Sequence, residues 1–533
     1  MDTPDSIDDF EELFADMPAS KRPTSIKEYG LPDTFARYRL AGPNPNILKR
    51  CPPEVRDIWF RALDDGTDGR YATVKQTVDA ATAAGELYLA DFTDFYGLTG
   101  PAVDGATFKV QKYVAPCAAL FVVNPDAAAR EREPLKAVAI QLETAPRLDP
   151  KKPFSSLTTP VIFCPPDAAA VAAAADGGAK DWSWECAMAC YTSSDGAYHE
   201  AISHLGMTHL VVGAFIPATL QRLHPDHPLH RLLLPHFYGT SLINFGAHSA
   251  LLSDTGAVAQ LVSLKIQDVL TYTAAKVIDA LSQDLTFPAD LKRRGMTKEE
   301  FPYLYPYRDD AQLHWDAIRT WVEEYLAVYY GSDAATRVQR MANDPELNAW
   351  MKDLTSPIGG NIKWLASEWS TSAGADNFPL LCDAVAAVMW RASVLHAAVN
   401  FPQAPIMAFL PAYPLAIYAQ PPTDARARTF AEYLAYLGPL EMAQTQATTA
   451  NLLGTLFYSE IGRYGYKQFG GHAQVDSAMG KFRSALDGIT AAINARNEAL
   501  VANWTAHYGD ADKGKLHAYT TLLPKNVPQS INI

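Results

Sequence analysis

Written as a helix, residues 182–215 are apolar around almost the whole circumference, which predicts a long central helix buried on most sides. The rest of the chain also reads as mostly helical. Residues 117–143 are the exception. There CAALFVVN and LKAVAIQLE flank a turn rich in Pro, Asp and Ala, and the two apolar runs predict paired strands. The segment 167–180, DAAAVAAAADGGAK, is low in complexity, and Gly177-Gly178 is expected to end one turn of helix before the next begins. No internal repeat is visible. The predicted fold class is mainly α: one large helical domain around a long central helix, with a small β subdomain.

Inside the apolar run sits His204-Leu-Gly-Met-Thr-His209. Residues five apart diverge by about 140° on a regular α-helix. The two imidazoles share a face only where the helix widens into a π-bulge, and Gly206 weakens the α-helical preference at that point. A second apolar stretch carries His396 and Asn400, four apart and so about 40° apart on one helix face. Ile533 offers an α-carboxylate. Three imidazoles, an amide oxygen and a carboxylate suit a transition metal with an open position, and imidazole with carboxylate suits iron.

Other histidine and cysteine patterns read as structure. His199-Glu200-Ala-Ile-Ser-His204 is one residue too long for the zinc-protease motif, whose histidines are four apart. Cys186 and Cys190 are four apart without further ligands nearby and read as core packing. His224, His227, His230 and His236, interleaved with Pro225, Pro228 and Pro235, read as scaffold.

Length alone, 533 residues, suggests about three or four domains. Ligands at 204, 209, 396, 400 and 533 must meet at one point, so everything after residue 200 is expected to fold as one unit. A 48% hydrophobic fraction supplies a sizeable core. A net charge of −14 argues against nucleic acid and against tight docking on anionic lipid. No run reaches the roughly 18 consecutive apolar residues of a membrane span. The acidic N-terminus lacks the features of a secretory signal, which implies a cytoplasmic protein, and residues 1–34 are expected to be a mobile extension. The six cysteines are expected to be reduced thiols.

From about residue 35 onward the chain resembles the lipoxygenase family. The resemblance is carried by LAGPNPNILKR (40–50), APCAALFVVNP (115–125), KAVAIQLE (136–143), HPDHPLHRLLLPHF (224–237), YPYRDDAQLHWDAI (305–318), WVEEYLAVYY (321–330), WRASVLHAAVNFPQ (390–403) and PKNVPQSINI (524–533). It implies a single helical catalytic domain over 35–533. The N-terminal β-barrel that many members carry has no room in the residues before it. It also implies one non-haem iron per chain, with manganese as the less favoured metal. Iron would be held by His204, His209, His396, Asn400 and the carboxylate of Ile533. Glu200 and Gln403 fall where the family places a polar relay between the metal and the substrate cavity. Ala247 matches the position whose size goes with S or R oxygenation, alanine with S, although His248 replaces the usual arginine beside it. Leu251 matches a leucine that shapes the oxygen pocket. Leu261 and Gly196 fall near the pocket floor, which a glycine would leave deep.

The activity implied is dioxygenation of polyunsaturated fatty acids such as linoleate or arachidonate, a step of oxylipin metabolism. A metal-bound hydroxide would take a bis-allylic hydrogen atom, and dioxygen would add to the radical. No Lys or Arg occurs from Ala392 to Ala425, where some relatives keep an arginine for the fatty-acid carboxylate. Burying that carboxylate unpaired is costly, so binding methyl end first is expected. The alternatives are a hydroperoxide isomerase on the same metal site and a catalytically inactive lipid carrier.

Overall fold

The computed structural model describes residues 4–17, 21–52, 69–104, 109–142, 161–175, 178–372, 374–455, 459–465, 467–531 and 533. Gly177, one of the two glycines expected to stop a helix, lies outside them. The preceding helix, Ala168–Ala175, is present as expected.

The strand expectation holds and extends further. Strands β1 (Lys49–Arg50), β2 (Leu87–Asp91), β5 (Cys117–Val123), β6 (Leu135–Leu142) and β7 (Val161–Phe163) form one antiparallel sheet in the order β1-β2-β5-β6-β7. β3 (Ala102–Asp104) and β4 (Lys109–Gln111) pair separately. β5 is buried at every position because both faces of the sheet are covered. Cys117, Ala119, Phe121 and Val123 face the main core, whereas Ala118, Leu120 and Val122 face a second cluster with Val78 and Ala81 of the helix Gly69–Ala84. The short outer strands carry too few residues for an alternating pattern to be read from sequence.

The N-terminal segment corrects one expectation. Its described residues are not a free tail. Phe10 and Phe14, four apart around helix α1 (Asp8–Glu12), are 1% and 2% exposed. Phe14 meets the Phe409 ring edge-on, and Tyr29 hydroxyl hydrogen bonds Tyr433. The acidic residues that suggested solvation lie on the outer side of a short amphipathic helix whose apolar side is in the core.

Two long helical runs cross the molecule. The first joins α2 (Ser183–Tyr198), a π-helical segment (His199–Leu210) and α3 (Val211–Arg222). Helix α4 (Pro228–Phe237) and the surface helix α5 (Thr240–Ala250) follow, and α6 (Ile266–Ala280) packs against the π segment. The second run comprises α7 (Phe378–Trp390), a π turn (Arg391–Leu395) and α8 (His396–Asn400). Residues 183–222 and 378–407 are long and apolar enough to cross a membrane by composition, but 67% and 83% of their most apolar windows are buried inside the protein. Their low charge is that of core helices.

A buried polar chain fixes the first run against the segment before it. Arg39 and Asp195 form an ion pair at 1% and 0% side-chain exposure. Asn44 donates to Asp195 (2.8 Å), the Tyr413 hydroxyl donates to the same carboxylate (2.7 Å), and the Ser203 hydroxyl donates to Asn44 (2.7 Å). Each side chain has at least one partner, with Arg39 Nε alone left over, which makes burial of the charge tolerable and its geometry specific. Ser203 immediately precedes His204.

Candidate metal centre

The widening required by a five-residue histidine spacing is present, and it spans twelve residues rather than one bulge. The Val211 amide reaches back to the Gly206 carbonyl, the five-residue step of a π-helix. Helix α6 packs against Gly206 at ordinary contact distance: a Cβ there would stand 3.4 Å from Val277 and 3.5 Å from Thr273. The Thr273 hydroxyl in turn donates to the carbonyl of Ala201 (3.2 Å), inside the π segment.

The result is convergence. His204, His209 and His396, all buried, place one ring nitrogen each within 4.8 Å of one another. His204 Nε2 lies 3.3 Å from His396 Nε2, close to the spacing of two adjacent ligands bonded to one cation at about 2.1 Å. His209 Nε2 has no hydrogen-bond partner. Burial pushes the His209 imidazole down to about 3, and the neighbouring His204 adds to the effect. Burial likewise holds His396 well below the usual range, with His204 and His209 contributing. These rings are therefore neutral at neutral pH, with bare lone pairs aimed at a common point, as a metal requires. The backbone of Ile533 lies near enough to His209 and His396 to offset part of the lowering caused by burial, which brings the end of the sequence to the same point.

The surrounding polar groups are ordered. Glu200 approaches His199 Nδ1 (3.4 Å) and His204 Nδ1 (3.7 Å) with a side chain only 9% exposed. Burial raises its carboxyl, but the hydrogen bonds and positive potential of the two histidines outweigh that and lower it to about 2. His199 Nε2 lies 2.6 Å from the Val399 carbonyl and links the two long runs. Asn400 donates to the Leu453 carbonyl (2.9 Å), and Gln403 donates to Asn400 Oδ1 (3.0 Å).

The Lipoxygenase family profile matches residues 72–511.

The chain belongs to the lipoxygenase family.

It is 29% identical over 539 aligned residues to a linoleate 9/13-lipoxygenase of Pseudomonas aeruginosa, covering 99% of this chain and 70% of the relative. It is 32% identical to a seed linoleate 9S-lipoxygenase-3 of Glycine max, covering 70% of this chain and 42% of that one. The fold matches coral 8R-lipoxygenase with a TM-score of 0.76 at 24% identity, and an anaerobic LOX structure in complex with arachidonate with 0.77 at 25%. Those alignments cover all of this chain and 71% of each structure.

The pocket positions suggested by the lipoxygenase resemblance fall in two places. Asn244, Ala247 and Leu251 follow helical spacing, and Asn244 touches His209, so Ala247 and Leu251 belong to the inward side of α5. Leu261 is buried in a cluster with Ile406, Met407, Tyr413 and Leu415. Gly196 borders the same cluster: a Cβ there would stand 2.5 Å from Leu415 and 3.5 Å from Tyr413. The space beside Gly196 is thus occupied by Leu415, and its missing side chain makes room for packing rather than for a deep floor.

Three residues here lie in or beside stretches that the sequence marks out, but their roles are not read from it. Asn244 holds His209. Gln529 packs with His236 (3.1 Å) and, through its amide oxygen, receives the Gly462 amide (2.8 Å), so it threads the last residues into the core. His199, set aside as part of a false zinc motif, ties the two histidine-bearing runs together. The proline-flanked histidines serve as scaffold: His227 caps α4 and reaches Asp344 (3.0 Å).

Proposed function

We propose that this lipoxygenase is an iron-dependent dioxygenase of polyunsaturated fatty acids, yielding lipid hydroperoxides. The observation that carries the reading is the buried convergence of His204, His209 and His396 within 4.8 Å, in a chain whose relatives are named linoleate lipoxygenases. Three converging imidazoles with a carboxylate at Ile533 and the amide of Asn400 are a donor set for iron. When bound, the metal supplies the one-electron chemistry that removes a bis-allylic hydrogen atom and leaves a carbon radical for dioxygen.

The chain's own residues do the rest. Glu200 and His199 keep the surroundings of His204 ionised and ordered, and Gln403 with the Leu453 carbonyl orients the Asn400 amide. Ala247 and Leu251 confine the side from which dioxygen meets the radical, with a lean to S products. The methyl end enters first. In support, the buried cation nearest Leu261, Lys112, is occupied by the carbonyls of Ala259 (3.2 Å), Gln260 and Val262 (3.0 Å), which leaves it no free valence for a fatty-acid carboxylate.

The test is metal analysis of the purified protein together with oxygen uptake and chiral chromatography of products from linoleate and arachidonate. Close to one iron per chain and conjugated-diene hydroperoxides are expected. An active preparation containing only zinc, or oxygenation by metal-free protein, overturns the reading. Conversion of added hydroperoxide without oxygen uptake would instead assign an isomerase.

A further inference from the structure

Two hydrogen bonds join one side chain of α5 to His209. Asn244 Oδ1 lies 2.8 Å from His209 Nδ1, and Asn244 Nδ2 donates to the His209 carbonyl at 3.3 Å. The second bond settles the orientation of the amide. Flipping it would put Oδ1 against the carbonyl oxygen, acceptor to acceptor, so Oδ1 must face the ring and Nδ1 must carry the proton. The same tautomer leaves Nε2 bare, and Nε2 is the atom that has no partner and takes part in the triad.

This arrangement is unlike those of the other two rings. His204 Nδ1 faces Glu200 only at 3.7 Å, and His396 Nδ1 has no hydrogen-bond partner. His209 alone in the triad is held at both its ring and its backbone by one residue. The helix providing that residue is lightly packed. Leu242 and Phe245, on either side of Asn244, are 76% and 78% exposed. At its start, Gly239 has a positive φ of 84°, and the preceding Tyr238 carbonyl accepts from Ser530 (3.0 Å) of the C-terminal segment.

We propose that Asn244 is a positioning residue for His209, selecting the tautomer and fixing the ring through its two bonds, so that the surface helix α5 sets the metal affinity of the site. The inference rests on the metal-site reading above. An outer partner of a ligand histidine is typically worth about 10–100-fold in metal affinity.

The experiment compares Asn244→Leu, Asn244→Asp, the outer-face control Leu242→Ser and His209→Ala with the unmodified full-length protein. The readouts are iron per chain, cobalt(II) titration of the metal-depleted protein with the cobalt absorption band, and kcat and KM for linoleate. Asn244→Leu keeps the volume but cannot accept the Nδ1 proton. It is expected to weaken cobalt binding by about 10–100-fold, alter the band and lower kcat with little change in KM. Asn244→Asp still accepts the Nδ1 proton but loses the donor to the His209 carbonyl and is expected to keep part of the affinity, above Asn244→Leu, while Leu242→Ser binds as the unmodified protein does. Unchanged cobalt affinity in Asn244→Leu, a loss in Asn244→Asp equal to that in Asn244→Leu, or an equal loss in Leu242→Ser overturns the proposal. If His209→Ala itself retains full cobalt affinity, the triad assignment fails. If His209→Ala loses the metal while Asn244→Leu does not, only the role of Asn244 fails.

Discussion

His204 and His396 stand 192 residues apart in sequence, yet their Nε2 atoms are 3.3 Å apart in a site from which water is almost excluded. Two bare lone pairs at that distance repel one another unless a proton or a cation lies between them. A hydrogen bond between two neutral rings, one donating through Nε2–H, relieves that repulsion, and so does a cation shared by both; the third ring, His209, converging on the same point favours the cation.

Removing any one imidazole should therefore remove the metal. His204→Ala, His209→Ala and His396→Ala are each expected to drop iron content below about a tenth of the unmodified value, with oxygen uptake falling in step, because each loses one of few ligand bonds. Asn400→Ala should be milder on iron, an amide oxygen being the weakest donor of the set. Metal analysis beside an oxygen-electrode assay checks this, and full iron in all three histidine variants would show that other residues hold the metal.

The two ends of the sequence should respond differently to tags. A short peptide added after Ile533 turns its carboxylate into a neutral amide and forces residues into a buried site. Loss of most iron and activity is expected. Deleting Ile533 withdraws the carboxylate by roughly 3.3–3.6 Å, with a similar outcome, whereas Ile533→Val should retain activity. An N-terminal tag serves as the control. Equal iron and turnover in the two tagged proteins would remove Ile533 from the ligand set.

Ala247→Gly should move products toward R configuration and a neighbouring carbon, since losing the methyl opens the inward side of α5 to dioxygen. Chiral chromatography of linoleate products decides it, and an unchanged mixture would show that Ala247 does not border the oxygen path.

The N-terminal helix should matter for stability. Phe14→Ala removes a ring that is 2% exposed and is expected to cost about 3–5 kcal/mol, read from the denaturant midpoint. A mobile tail would give no change.

Acid should weaken the fold through buried neutral histidines outside the metal site. Burial lowers His314 to about 4 and His236 to about 3, from an ordinary value of 6.5. Below pH 6.5 the unfolded chain binds protons that the folded one does not, so stability is full above that pH and is lost as pH falls toward 4 and then 3. His314 lies 2.8 Å from the Leu522 carbonyl through Nε2. His314→Gln should flatten the decline of the denaturation midpoint between pH 7 and pH 5, and an unchanged slope would exclude His314 as a contributor.

Local information in the sequence determined the elements and the donors. The all-round apolar run marked the central helix, the five-residue histidine spacing demanded a π-helix there, and two apolar runs around a turn marked β5 and β6. Each of these depends on neighbours within a few turns, so periodicity reports it. Tertiary structure decided what depends on distant partners. Asn244 acquires its role only when α5 folds across the π segment, and the space beside Gly196 is filled by Leu415, 219 positions later. Phe10 and Phe14 are buried in the main core, Phe14 against the ring of Phe409, which no acidic count in the first 34 residues could reveal. Side chains at helical or strand spacing obey the local backbone; a buried polar contact or a filled cavity is set by whichever remote side chain arrives there, and only the packed chain specifies that.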